Sequence, residues 1–175
     1  KVVEMHNEPN LNFFWHGTVE DYVRIYREGT KQVRAKAPDV EIAVGSMSSL
    51  WYKPGIDWFK KAIELGVLDY ADAVAVHPYN KKAPPELDPH FQDAHPDDPT
   101  NNQQAIAAFN QLVQSAAPDG KPIKLYFTEF GWSAGREGMA ALNDEQRQAD
   151  YLSRIFLIYF HERLNGIPIE AVFWY

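Results

Sequence analysis

The chain has 175 residues, a length that is enough for one domain, and a formal net charge of −7. It contains no cysteine, which excludes disulfides, zinc-thiolate sites and cysteine nucleophiles. The acidic balance argues against nucleic acid or an anionic membrane as a partner, because both require a basic surface on the protein. No stretch approaches the roughly 20 apolar residues of a membrane span.

The predicted elements alternate between strands and helices along the chain. The predicted strands are residues 2–6, 40–46, 73–77, 123–128 and 169–174, and the predicted helices are residues 19–37, 56–65, about 102–116 and a long helix after Asn143. Two helix starts carry capping patterns, Thr18 with Asp21 and Asn143 with Gln146. One face of the long helix is predicted to carry Leu152, Ile155, Phe156 and Tyr159.

The strand runs are short, β-branched and almost continuously apolar. This pattern is typical of strands that are buried on both faces of a parallel sheet. Strands separated by helices indicate βαβ units, so the predicted fold class is α/β with a parallel sheet. Periodicity alone does not distinguish a (β/α)8 barrel from a doubly wound open sheet.

Polar and aromatic residues follow the carboxyl ends of four predicted strands. They are His6-Asn7-Glu8-Pro9, His77-Pro78-Tyr79, Thr128-Glu129-Phe130-Gly131-Trp132 and Trp174. In a barrel these ends converge on the face where active sites lie. Retaining glycosidases place two carboxyl groups about 5–5.5 Å apart, so we expect Glu8 and Glu129 to face each other across the barrel mouth as such a pair.

These segments resemble the strand ends of clan A retaining glycoside hydrolases. Asn7-Glu8-Pro9 resembles the fourth-strand motif of that clan, and Thr128 to Trp132 is similar to its seventh-strand nucleophile motif. His77-Pro78-Tyr79 and Trp174 are similar to its sixth and eighth strand ends. The run from Asn7 to Leu11, with Phe14-Trp15 beyond it, most resembles family 39, with family 5 next. His6 departs from family 39, which usually carries an aromatic residue there.

The resemblance implies the C-terminal part of a (β/α)8 TIM barrel, about five βα units from strand 4 to strand 8. Residues 1–175 are then a single catalytic-barrel domain that lacks strands 1–3 and the final helix. Both ends of the sequence lie within predicted strands, from which we expect a piece of a longer polypeptide. Its partner would be the remainder of its own barrel, and the fragment alone is expected to be inactive.

The resemblance also implies a function and the roles of individual residues. The expected activity is retaining hydrolysis of a β-glycoside in an oligosaccharide or polysaccharide, without a cofactor. Glu8 would be the general acid/base, Glu129 the nucleophile, and Asn7 a hydrogen-bond partner of the sugar 2-hydroxyl. Tyr79 would donate a hydrogen bond to Glu129, and Trp174 would form the floor under the reacting sugar.

The roles of the remaining candidates stay open at this point. His77 would orient Tyr79 or contact the sugar, or else be a hydrogen-bonded core histidine. Trp15, Trp51 and Trp132 follow strand ends and would serve either as further sugar subsites or in ordinary packing.

The segment from Pro78 to Thr100 is long for a barrel loop. It contains six Asp and His residues, which are Asp88, His90, Asp93, His95, Asp97 and Asp98. They suggest a metal site, but a solvated, proline-stiffened wall of the cleft is the preferred interpretation, and no metal is predicted.

Two rival functions remain. One is a metal-dependent barrel hydrolase with His6, Glu8, His77 and Glu129 as ligands, which a chelator would inactivate. The other is a non-catalytic carbohydrate-binding barrel. A zinc deaminase is excluded, because its His-x-Glu motif requires a downstream Pro-Cys-x-x-Cys. Secretion is expected by analogy alone.

Overall fold

A computed structural model describes residues 1–87 and 99–175. It contains one sheet of five strands, in which every neighbouring pair runs parallel. The strands are β1 (Val2–Glu4), β2 (Glu41–Ser48), β3 (Ala73–His77), β4 (Lys124–Phe130) and β5 (Ile169–Trp174). The helices that connect them are α1 (Val19–Lys36), α2 (Lys53–Glu64), α3 (Asn102–Ser115) and α4 (Glu145–Leu164). Short 3₁₀ turns at Val67–Tyr70 and Pro118–Gly120 precede β3 and β4.

The strand order decides between the two sheet architectures. Each strand pairs with the next strand along the chain, in the order β1-β2-β3-β4-β5. A doubly wound sheet reverses its order at a switch point, whereas a barrel continues in one direction with a helix after each strand. The described sheet is therefore a stretch of barrel wall, and the open-sheet alternative is wrong.

The two faces of the sheet bury different side chains, because successive residues of a strand point to opposite sides. In β3, Val74 and Val76 join the large cluster packed against the helices. Ala73 and Ala75 join a small cluster on the other face, with Tyr126 of β4. On that face Lys124 and Tyr126 both contact Glu41, at 2.5 Å and 3.0 Å. Alanines and a hydrogen-bonded polar group thus line the inner side of the wall.

Two local predictions concern helix starts, and they have different outcomes. The capping box of Thr18 and Asp21 at the start of α1 is confirmed. The one predicted at Asn143 is wrong, because the N-cap of α4 is Asp144, whose side chain accepts from Arg147 N–H at 2.9 Å. Asn143 has a φ of 54° and donates its N–H to the Gly135 carbonyl. It therefore ends the preceding loop.

Helix α4 is apolar on two sides. Ile155 and Tyr159 are buried against the sheet, whereas Phe156 contacts Phe130 and remains 40% exposed. The opposite side exposes Leu157, Phe160 and Leu164, and Phe173 of β5 and the following Tyr175 are exposed as well. Within the described residues, this face of α4 is not covered, and the outer edges of β1 and β5 have no strand partner. None of the described helices is long and apolar enough to cross a membrane.

Asp72 links three elements at the amino end of the sheet. It lies just before β3 and accepts hydrogen bonds from Ile42 N–H at 3.0 Å, Arg34 at 2.7 Å and Lys121 at 3.2 Å. Burial by itself would raise the pKa of Asp72, but the hydrogen bonds outweigh it and the pKa is lowered. The ionised form is thus favoured in the folded state.

We expect Asp72→Asn to destabilise the protein by about 1.5–3 kcal/mol at pH 7, the range for hydrogen bonds to charged groups. A carboxyl whose pKa is lower in the folded state contributes stability above its unfolded pKa of about 3.9, and this is lost as the pH falls through the folded pKa. Urea unfolding at pH 7 and at pH 3 should therefore show a smaller difference between wild type and variant at pH 3.

The matched control is Asp57→Asn, which removes a pair with Lys53 that is exposed on α2 and should change stability by less than about 0.5 kcal/mol. An Asp72→Asn effect of equal size at both pH values would contradict the ionic role of Asp72.

Candidate active site

Parallel strands bring the predicted site residues to one edge of the sheet. His77 is the last residue of β3, Glu129 lies near the end of β4, and Trp174 ends β5. Glu8 follows β1 in the loop to α1 and pairs back onto β2, since its N–H donates to the Ser46 carbonyl at 2.8 Å. Side chains that are more than 120 residues apart in sequence thus meet at the carboxyl ends of the strands.

Glu8, His77 and Glu129 form one cluster. One ligand-type atom from each lies within 4.8 Å of the other two. His77 Nδ1 lies 3.0 Å from Glu8 Oε1 and 3.7 Å from Glu129 Oε2. The Glu8 and Glu129 carboxyl groups are therefore close enough for both to contact the same bond of a bound molecule.

His77 lies between the two carboxyl groups and hydrogen-bonds Glu8. His77 is 1% exposed and Glu8 is 8% exposed, so water competes little for their hydrogen bond. An ionised Glu8 accepts from Nδ1–H, whereas a protonated Glu8 donates to the bare nitrogen. Both protonation states of Glu8 are thus satisfied without any movement of the side chains.

Tyr79 is the second direct partner of Glu129. Its hydroxyl donates to Glu129 Oε2 at 3.1 Å. Burial, followed by the negative charge of Glu129, raises the pKa of Tyr79. The phenol therefore stays protonated at neutral pH and remains a donor to the Glu129 carboxylate.

Asn10 is a supporting residue to which the sequence analysis assigned no role. Its amide makes two bonds to one residue at the end of β2, accepting from Ser48 N–H at 3.0 Å and donating to the Ser48 carbonyl at 3.2 Å. It thereby ties the loop that carries Glu8 to the neighbouring strand. The available sequence signal was its place two residues after Glu8, within Asn7-Glu8-Pro9-Asn10.

The aromatic candidates do not all reach the site surface. Trp174 is half-buried at the end of β5, with its ring 5.9 Å from that of Phe130. Trp132 is only 3% exposed, packs against Tyr151 and donates its indole N–H to the Ala83 carbonyl. Of the two roles left open for Trp132, its burial favours packing over contact with a sugar.

The other predicted residues lie around this edge in different settings. Trp15 is half-buried in the loop before α1, where it contacts the His6 ring at 4.7 Å and donates to the Thr18 carbonyl. Asn7 is exposed next to Glu8. Trp51 lines a small surface pocket together with Tyr79.

Of the four residues proposed as ligands for a metal-dependent hydrolase, the structure brings three together. Glu8, His77 and Glu129 offer one nitrogen and two oxygen ligands, a set that zinc accepts. His6, the fourth proposed ligand, is outside this cluster in the described part of the chain, and its Nδ1 lies 3.1 Å from the Asn7 carbonyl. The six Asp and His residues named above in the 78–100 segment, from Asp88 to Asp98, lie outside the described residues.

Comparisons with known proteins place this arrangement in context. The sequence matches no protein-family model and no curated protein. Among solved structures, it is similar to a family 39 glycoside hydrolase from the gut symbiont Bacteroides cellulosilyticus WH2, with a TM-score of 0.75 and 25% identity over 98% of this chain and 32% of that one.

Two further structures agree in fold. One is the family 39 enzyme from Xanthomonas axonopodis pv. citri, with a TM-score of 0.63 and 19% identity over 98% of this chain and 32% of that chain. The other is a family 39 β-xylosidase from Caulobacter crescentus, with a TM-score of 0.62 and 18% identity over the same shares. The chain spans about a third of the length of these structures. The predicted resemblance to family 39 glycoside hydrolases, and with it the partial TIM barrel, is confirmed.

Proposed function

We propose that this chain supplies both catalytic carboxyl groups of a glycoside hydrolase that cleaves β-glycosidic bonds with retention of configuration. The observation that carries the proposal is the approach of Glu8 and Glu129 to within 4.8 Å at the carboxyl edge of the sheet. Retaining enzymes hold their carboxyl groups about 5–5.5 Å apart, whereas inverting enzymes leave about 6.5–9.5 Å for a water molecule. The observed spacing favours retention.

In the first step, a carboxylate oxygen of Glu129 attacks the anomeric carbon while the glycosidic C–O bond breaks. Glu8 gives its proton to the departing oxygen, which leaves as an alcohol. In the second step Glu8 takes a proton from water, the water oxygen bonds to the anomeric carbon, and Glu129 departs as a carboxylate.

The neighbours of the two glutamates suit these roles. The Tyr79 hydroxyl stabilises the ionised form of Glu129, as a nucleophile requires. His77 hydrogen-bonds Glu8 in either protonation state, as an acid that becomes a base requires. Asn7 would bind the sugar 2-hydroxyl and Trp174 would support the ring, in keeping with the family resemblance.

The substrate is proposed to be an oligosaccharide or polysaccharide, held in a barrel that further βα units complete. The exposed apolar face of α4 and the open edges at β1 and β5 support this completion, because a closed barrel has no free edge. Activity is therefore to be measured on the complete barrel protein.

The test is the stereochemistry of the first-formed product, followed by NMR during hydrolysis of aryl β-glycosides. We expect the β-anomer to appear first and then mutarotate, with a rate that is unchanged by chelator. Initial release of the α-anomer would rule out the double displacement. Loss of activity with chelator would favour the metal alternative, for which the cluster of Glu8, His77 and Glu129 is the supporting observation.

A further inference from the structure

The backbones of β1 and β2 separate just before Glu8. Their ladder comprises three residue pairs and ends with Glu4 opposite Ala43. The next backbone N–H groups do not continue it. Met5 N–H donates to the hydroxyl of Tyr26 at 3.1 Å, and Gly45 N–H donates to the hydroxyl of Tyr22 at 2.7 Å.

Both phenols come from α1, behind the sheet. Tyr22 and Tyr26 have no solvent-exposed surface, and their rings contact each other at 4.7 Å. The helix approaches β1 closely here, since a Cβ added at Gly29 would lie 2.5 Å from Met5 Sδ. The two hydroxyls therefore occupy the place where bonds between β1 and β2 would otherwise continue.

The tyrosines also act on the strand that orients Glu8. At this point β2 contains a bulge, with Gly45 at φ 96° and Ser46 at φ 51°. The Tyr22 hydroxyl contacts both the N–H and the carbonyl of Gly45, at 2.7 Å and 3.4 Å. A Cβ at Gly45 would lie 2.6 Å from the Ala75 carbonyl, so the bulge also depends on glycine.

Backbone hydrogen bonding to β2 resumes at Glu8, in the loop that follows β1. The carbonyl of the bulged residue Ser46 accepts the N–H of Glu8 at 2.8 Å. Glu8 itself has a φ of 42°, which is a costly conformation for a residue with a side chain. The Tyr22 hydroxyl thus bonds Gly45, and the next residue of the bulge, Ser46, bonds the backbone of Glu8.

We infer that Tyr22 and Tyr26 are positioning residues, whose hydroxyls hold β1 and β2 apart so that the bulge can direct the Glu8 carboxyl toward Glu129. The inference rests on the proposed function, and it assigns a role to side chains that never touch the sugar. Removing either hydroxyl leaves a buried N–H unpaired, and the strands are then free to close and rotate Glu8.

The test compares Tyr22→Phe and Tyr26→Phe, made separately in the complete barrel protein, on two aryl β-glycosides. One substrate has a good leaving group that departs without an acid, and the other has a poor leaving group that requires one. The measured quantity is kcat/KM, which reports the first chemical step. For the substrate with the poor leaving group we expect kcat/KM to fall by roughly 10- to 100-fold, the effect of misplacing a catalytic group by about 1 Å. For the substrate with the good leaving group we expect little change in kcat/KM.

Tyr159→Phe is the matched control. Tyr159 is also a buried phenol, and its hydroxyl has no hydrogen-bond partner among residues 1–87 and 99–175, so its loss should leave both substrates unaffected. Each variant keeps its aromatic ring, and its fold is checked by circular dichroism. If one of the two variants does not fold, the other still carries the test.

Two further outcomes separate the inference from the proposed function. In a Glu8→Ala background the tyrosine substitutions should add no further loss, because they act through Glu8. Equal losses on both substrates, or additive losses in that background, would overturn the positioning role. If Glu8→Ala itself does not distinguish the two substrates, it is the proposed function that fails.

Discussion

Glu129→Gln is expected to lower kcat by roughly 10⁴- to 10⁶-fold, the scale seen when a nucleophile is removed from a covalent mechanism. Glutamine has nearly the same shape and can still accept the hydrogen bond from Tyr79, but its neutral amide cannot form the glycosyl ester. The loss should therefore be the same for good and poor leaving groups, because both substrates need the same attack.

Mass spectrometry makes this prediction specific to one residue. A 2-deoxy-2-fluoro glycoside with a good leaving group forms the intermediate but releases it slowly, so the wild-type protein should gain the mass of one sugar on the peptide containing Glu129. The Glu129→Gln variant should gain none. Glu137→Gln, on the exposed loop that follows the same strand, is the matched control and should keep full activity and labelling. A label on any other residue would refute the assignment of the nucleophile.

Glu8→Ala is expected to give the second-largest effect, one that depends on the leaving group. A general acid contributes typically 10²–10⁴-fold, so kcat/KM for a poor leaving group should fall by about that amount. A good leaving group departs without an acid, so kcat/KM for a substrate that carries it should change little. Its kcat should still fall, because hydrolysis of the intermediate needs Glu8 as a base.

Azide provides an independent readout for the same variant. A small anion that needs no base should replace water in the second step, restore kcat on the good leaving group and yield a β-glycosyl azide. Glu137→Ala, far less buried than Glu8, should show neither the leaving-group dependence nor the rescue. A uniform loss without rescue by azide would mean that Glu8 is not the acid/base.

Short sequence motifs predict structure well where the interacting residues are close together in sequence, and less well where they are far apart. The capping box of Thr18 and Asp21 could be predicted because its partners are three residues apart. The sequence does not separate Asn143 from Asp144, because both residue types are competent caps. In the structure Asn143 bonds the Gly135 carbonyl of the preceding loop, and Asp144 caps the helix through Arg147 N–H.

Strand β1 shows the same limit more clearly. The apolar run predicted a strand over residues 2–6, whereas the ladder ends at Glu4. No residue within the run predicts that the strand ends there. The hydroxyls that take the place of the ladder hydrogen bonds belong to Tyr22 and Tyr26 on the following helix. Trp132 is a related case, since its position after a strand end leaves both a sugar contact and packing open, and only its burial in the tertiary structure favours packing.

By itself, the sequence determined the alternation of strands and helices, the parallel sheet and the glutamates, histidine and tyrosine at the strand ends, because periodicity and motif position are local properties of the chain. The tertiary structure alone decided the strand order, the spacing of Glu8 and Glu129, and the place of His77 between them. These depend on contacts between residues as far apart as Glu8 and Glu129, whose geometry is set by the packing of whole strands and helices.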